Sequence, residues 1–115
     1  MAFNELEKKA VEKELENFLG RKRPPRHLRS EIDIQYLISG QTVIIEEVRP
    51  YWRDKSQQVR NPLAKLTYVR SRDIWKIYWM GKTMQWQSYA PNPEAEKMEE
   101  ALGIIEEDSS GCFFG

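Results

Sequence analysis

Apolar residues near the start of the chain recur every three or four positions: Leu6, Ala10, Val11, Leu15, Phe18 and Leu19. That spacing lines one face of a helix and predicts an amphipathic helix over residues 1–20. Asn4 is placed to cap it, with Glu7 at the reciprocal capping-box position and Phe3 as a staple. Gly20 reads as its stop. From residue 31 the period falls to two. Glu31–Ile38 puts Ile32, Ile34, Tyr36 and Ile38 on one side, Ser39-Gly40 reads as a turn, and Gln41–Val48 returns as a second strand. After a polar stretch from Arg49 to Asn61 (a long loop by this pattern), Leu63–Val69 makes a third strand. Arg70-Ser71-Arg72-Asp73 is a tight connection. Residues 74–89 then read as a hairpin turning on Gly81-Lys82, and hold three of the four tryptophans. Asn92-Pro93 opens a last helix to residue 106, with Ala95, Met98, Ala101, Leu102 and Ile105 as its stripe.

A two-residue turn at Gly81-Lys82 pairs Trp79 with Met84, Ile77 with Trp86 and Trp75 with Ser88. Facing residues on neighbouring strands point the same way. The expected core face is therefore Ala64, Leu66, Tyr68, Trp75, Ile77, Trp79, Met84 and Trp86. The other face carries Lys65, Thr67, Lys76, Tyr78, Gln85 and Gln87. The expected fold is one α+β domain over 1–115: an N-terminal helix, a five-stranded antiparallel meander over 31–90, a C-terminal helix over 92–106 and a tail over 107–115. Both helices are expected on the tryptophan-rich face. The Phe113-Phe114 tail is expected to dock on the domain or on a partner.

Composition narrows the chemistry. With 115 residues and 40% hydrophobic content the chain buries a core without staples. One cysteine, Cys112, and one histidine, His27, are too few for a structural zinc site or an internal disulfide. No signal peptide or membrane span is read, so the expected location is the cytoplasm. The formal charge of zero conceals an asymmetry. Residues 21–91 carry fourteen bases and six acids, a net of +8, between acidic flanks. Such a segment either binds a polyanion or is neutralised by the helices packed on it.

Two candidate binding elements follow. Arg21, Arg23, Arg26 and Arg29 lie in a proline-containing basic segment that reads either as a solvated linker or as a phosphate-contacting arm. Lys65, Lys76 and Tyr78 form a basic patch around one aromatic on the non-core face, the pairing on which single-stranded nucleic acid stacks. The same alternation also arises on any solvated sheet face. Trp52 beside Arg53 and Lys55 reads either as an aromatic that serves a ligand or as one that folds back over the core. As an enzyme, a metal-dependent nuclease would need Asp33 and Glu47 on one face; a two-residue hairpin turn separates them, and only an odd-length loop or a bulge would reunite them. Arg49 also replaces the lysine that such a site would use. Cys112 and His27 show no nucleophilic arrangement, and there is no glycine-rich phosphate loop. The reading is a non-enzymatic binding module without a cofactor, nucleic acid leading. The alternatives are a protein-partner component of regulatory or toxin–antitoxin type, and the nuclease.

Segments spread along the chain carry a resemblance: Arg23-Pro24-Pro25, Val48-Arg49-Pro50-Tyr51-Trp52, residues 64–69, residues 75–80, Trp86-Gln87-Ser88-Tyr89-Ala90-Pro91, and Gly111-Cys112-Phe113-Phe114-Gly115. In these the chain resembles a family of small bacterial proteins classified as domain of unknown function 3024. The resemblance implies a bacterial single-domain protein complete at both ends. It brings no activity, cofactor or site residue.

Overall fold

Asn4 starts the first helix as expected. In this computed structural model, which describes residues 2–114, its side chain accepts from the Glu7 amide at 2.8 Å. The Glu7 carboxylate accepts from the Asn4 amide at 3.0 Å, completing the capping box. Helix α1 spans Glu5–Lys22, two residues past Gly20. Arg21 and Lys22 occupy its last turn, where the helix dipole favours cations. Both are also held: Arg21 by Glu106 at 2.9 Å, and the Lys22 ammonium 4.6 Å above the Phe114 ring. Val11, Leu15, Phe18 and Leu19 are buried, while Leu6 and Ala10 from the expected stripe remain exposed. The ring of Phe3, expected as a staple, lies 5.8 Å from Trp75 and 6.3 Å from Tyr68.

Six strands follow: β1 (Asp33–Ser39), β2 (Thr42–Pro50), β3 (Gln58–Val69), β4 (Ile74–Met80), β5 (Trp86–Ser88) and the two-residue β6 (Glu94–Ala95). The first five pair in sequence order as an antiparallel meander, and β6 pairs with β4. Since β3 occupies one side of β4, β5 and β6 lie end to end along the other. Between them the Ile77 carbonyl accepts from Tyr89 and the Ile77 amide donates to Pro93. Helix α2 spans Met98–Glu107. The expected α+β fold is therefore the observed one, with local departures.

The β1–β2 turn is Gly40-Gln41, with Gly40 at φ +61°. It sits one residue later than expected, which slides the pairing by two and leaves the faces unchanged. The expected loop over 49–61 is strand at both its ends, residues 49–50 and 58–61, and only residues 51–57 connect β2 to β3. A bulge hides this continuity: Ile45 pairs with Ala64 but Glu46 with Pro62, so Leu63 is an extra residue. Pro62, which cannot donate to a ladder, sits at that irregularity. Finally, Asn92-Pro93 does not open α2. Strand β6 intervenes, and the helix starts after Lys97 with no side-chain cap.

One side of the sheet supplies Ile34, Val43, Ile45, Ala64, Leu66, Trp75 and Ile77 to the core. From the helices, Leu15, Phe18, Met98, Ala101, Leu102 and Ile105 pack on them, so both helices cover this face. The tail completes it. Asp108, left-handed at φ +46°, ends α2, and its carboxylate accepts from the Phe113 amide at 3.0 Å and the Phe114 amide at 2.8 Å. Phe113 is buried with its ring 4.8 Å from Tyr89, and Phe114 packs near Phe18. Of the two docking sites expected for these phenylalanines, the domain itself holds them.

Candidate functional site

The sheet face turned away from the helices carries one continuous cross-strand row. Leu37 pairs with Ile44, Ile44 with Lys65, Lys65 with Tyr78, and Tyr78 with Ser88. The neighbouring row runs Ser39, Thr42, Thr67, Lys76 and Glu94. None of the hydrophobic residues packed in or against the core comes from these rows. Pairing fixes which side chains share the face, so Lys65, Lys76 and Tyr78 are brought together as the alternation predicts.

The β4–β5 register adds a residue that the sequence reading placed in the core. Tyr78 pairs with Ser88 and Met80 with Trp86, three positions away from the expected pairing. An odd shift exchanges the faces. Trp86 therefore joins the basic face, and Gln87, opposite Trp79, leaves it. The cause is a five-residue connection over 81–85, closed by a hydrogen bond from the Gly81 amide to the Gln85 carbonyl at 3.0 Å. Met84 stands in it at φ +60° and is 68% exposed, not in the core. A left-handed methionine has no signature in sequence; an asparagine or glycine there would have revealed the longer loop.

The Lys65 ammonium lies 4.5 Å from the centre of the Tyr78 ring and 5.3 Å from that of Trp86. Both are within cation–π range. Neither Lys65 nor Lys76 forms an ion pair among the described residues. The six pairs that occur there are all made by arginines: Arg21–Glu106, Arg23–Asp33, Arg49–Glu47, Arg60–Glu46, Arg70–Glu7 and Arg72–Glu94. Glu94, which faces Lys76 across the strands, spends both carboxylate oxygens on Arg72 at 2.9 and 3.1 Å. Arg70 likewise holds Glu7 and lowers its pKa. The acidic flanks thus neutralise part of the basic middle, while the lysines of the open face stay free.

The arginine segment does not form a second rim with four free cations. Arg21 is engaged with α2. Arg23 reaches Asp33 on edge strand β1 with two contacts of 2.7 Å. Asp33 is 5% exposed, and the Arg23 guanidinium holds its carboxyl down at about 2. Arg29 donates to the Pro24 carbonyl at 2.9 Å, across a short 3-10 turn at Arg26–Leu28 that replaces the expected extended run. Of these four arginines, only Arg26 has a side chain with no hydrogen bond or ion pair among the described residues, its carbonyl accepting from the Arg29 amide at 3.3 Å.

The nuclease constellation is not assembled. Asp33 pairs with Val48 and Ile34 with Glu47, which puts the two carboxylates on opposite faces, each already engaged by an arginine. No group of three or more His, Cys, Asp or Glu among the described residues converges well enough to hold a metal ion. No helix there is long and apolar enough to cross a membrane.

At the far end of the β2–β3 hairpin, Trp52 is 75% exposed. The Arg53 guanidinium lies 4.6 Å from its ring and Tyr51 is 6.1 Å away. Comparison with curated proteins and with solved structures yields no match. A family profile does match, over residues 3–115, so the chain belongs to the family described as domain of unknown function (DUF3024).

Proposed function

We propose that the protein is a non-enzymatic, cytoplasmic nucleic-acid-binding module that takes an unpaired strand on its open sheet face. The observation that carries this is the trio of Lys65, Tyr78 and Trp86. An unpaired base offers a flat apolar plane linked to a phosphate, and this face offers two aromatic rings beside free ammonium groups. On its flexible four-carbon stem the Lys65 ammonium swings from the rings to a phosphate, which uncovers ring surface for a base. Lys76 supplies a second phosphate contact, and Arg26 is the one member of the arginine segment available as an outlying one. Leu37 and Ile44 extend the apolar floor.

The test is a salt titration of binding to labelled single-stranded and duplex RNA and DNA. Wild type is expected to prefer single strands, to weaken steeply with salt, and to lose binding in a Lys65→Glu/Lys76→Glu variant. Absence of binding at low salt sinks the reading. A second reading, a protein partner, is favoured by Leu6, 80% exposed in the first turn of α1. Further along the same helix, Val11 joins Phe3, Tyr68, Trp75 and Met98 in lining a cavity of about 290 Å³.

A further inference from the structure

We infer that the tip of the β2–β3 hairpin is a second contact for the same nucleic-acid strand, with Trp52 stacking on a base beyond those held on the sheet face. This rests on the sheet-face reading and extends it. Strand β1 pairs with β2 only as far as Val48, and β4 pairs with β3 only from Ala64. Arg49 and Pro50 therefore pair with Val59 and Gln58 alone, as a two-stranded arm.

The arm ends in an ordered turn. The Tyr51 amide donates to the Gln57 carbonyl at 2.9 Å, Asp54 to Tyr51 at 3.2 Å and Gln57 to Asp54 at 3.0 Å. Trp52 is thus held out into solvent by a closed turn, with Arg53 over its ring. A large aromatic presented this way costs little ordering entropy on binding.

Charge selects the partner. Arg53 and Lys55 make no ion pair among the described residues. Asp54, the one acid of the turn, is occupied by the Ser56 hydroxyl at 2.6 Å and amide at 3.1 Å. An aromatic plane with adjacent free cations is the chemistry already present at Lys65, Tyr78 and Trp86. A purely apolar protein pocket would match the indole and leave the cations unanswered; a base with its phosphate answers both.

The geometry also sets a length. From the Ile44–Lys65 pair to the Pro50–Gln58 pair strand β2, which lacks the bulge, advances six residues, about 20 Å at roughly 3.3 Å each. A strand stacked at about 3.4 Å per nucleotide covers that in roughly six nucleotides. Short oligonucleotides reach one contact, longer ones both.

The experiment measures affinities of the intact protein, Trp52→Ala and Trp52→Phe for single-stranded oligothymidylates of about 4 and about 14 nucleotides, sizes that bracket this span. Lys65→Glu/Lys76→Glu is included, and circular dichroism confirms that each variant is folded. The expected result is that Trp52→Ala weakens the long oligonucleotide about tenfold, leaves the short one unchanged, and is rescued by Trp52→Phe. If Trp52→Ala matches wild type at both lengths while Lys65→Glu/Lys76→Glu still abolishes binding, the tip inference is overturned and the sheet-face reading stands. If wild type binds neither, both fall.

Discussion

Arg23 grips the Asp33 carboxylate with its Nε and one Nη, each at 2.7 Å, and this pair fastens the end of α1 to the start of the edge strand. The carboxylate also accepts from the Ile34 amide at 2.8 Å. Its folded pKa of about 2 lies below the ordinary 3.8, so ionised Asp33 stabilises the fold above the ordinary value. That contribution is lost as pH falls through about 2. Arg23→Ala strands a buried carboxylate and is expected to cost roughly 2 kcal/mol in urea unfolding near neutral pH, after discounting for the half-open guanidinium. The difference from wild type should shrink towards pH 2; a constant difference would mean that Arg23 acts by packing alone.

The open face makes a different demand. Tyr78→Ala and Trp86→Ala remove rings that no helix covers, so each is expected to lower stability by about 1 kcal/mol or less. The same substitution at Trp75, inside the core, should cost about 3–5 kcal/mol. A loss at Trp86 as large as at Trp75 would return Trp86 to the core and undo the register described above. Chemical denaturation of the three variants decides this.

Phe113 should behave as a core residue although it lies in the tail. Phe113→Ala is expected to cost about 3 kcal/mol or more. Asp108→Ala removes two amide acceptors and should cost about 1–2 kcal/mol. An unchanged denaturation midpoint in Phe113→Ala would show that the tail is undocked in solution.

Two glycines give a paired control on the turns. Gly40 adopts φ +61° with open space around it, so Gly40→Ala should cost about 1 kcal/mol through backbone strain alone. Gly81 lacks that conformation, and an added Cβ would collide with the end of the exposed Gln87 side chain and stand in ordinary contact, 3.5 Å, with the Gln85 carbonyl oxygen. Gly81→Ala should be close to neutral in thermal melts, since that side chain swings away.

Much of this was legible in the chain. Asn4 and Glu7 announced the capping box. The alternations around Ile34–Ile38 and Ala64–Tyr68 placed the strands, and strict pairing of β3 with β4 put Lys65, Lys76 and Tyr78 on one face. The misreadings arose where backbone geometry decided and side-chain pattern was silent. The Leu63 bulge and the prolines at 50 and 62 disguised a long hairpin as a loop. Left-handed Met84 lengthened a turn and moved Trp86 across the sheet. Gly20 failed to end α1 because Arg21 and Lys22 found partners on α2 and the tail, contacts invisible to local sequence.

The way the core is closed also dictates an order of events. Strands β1 to β5 pair with sequence neighbours, whereas Met98, Ala101, Leu102, Ile105 and Phe113 arrive from the last eighteen positions. During synthesis the meander can therefore form with α1 already on its core side, while the part of that side closed by α2 and Phe113 stands uncovered until residues 98–113 emerge. That interval is when a nascent chain is most exposed to aggregation, and a truncation ahead of Met98 would make the interval permanent.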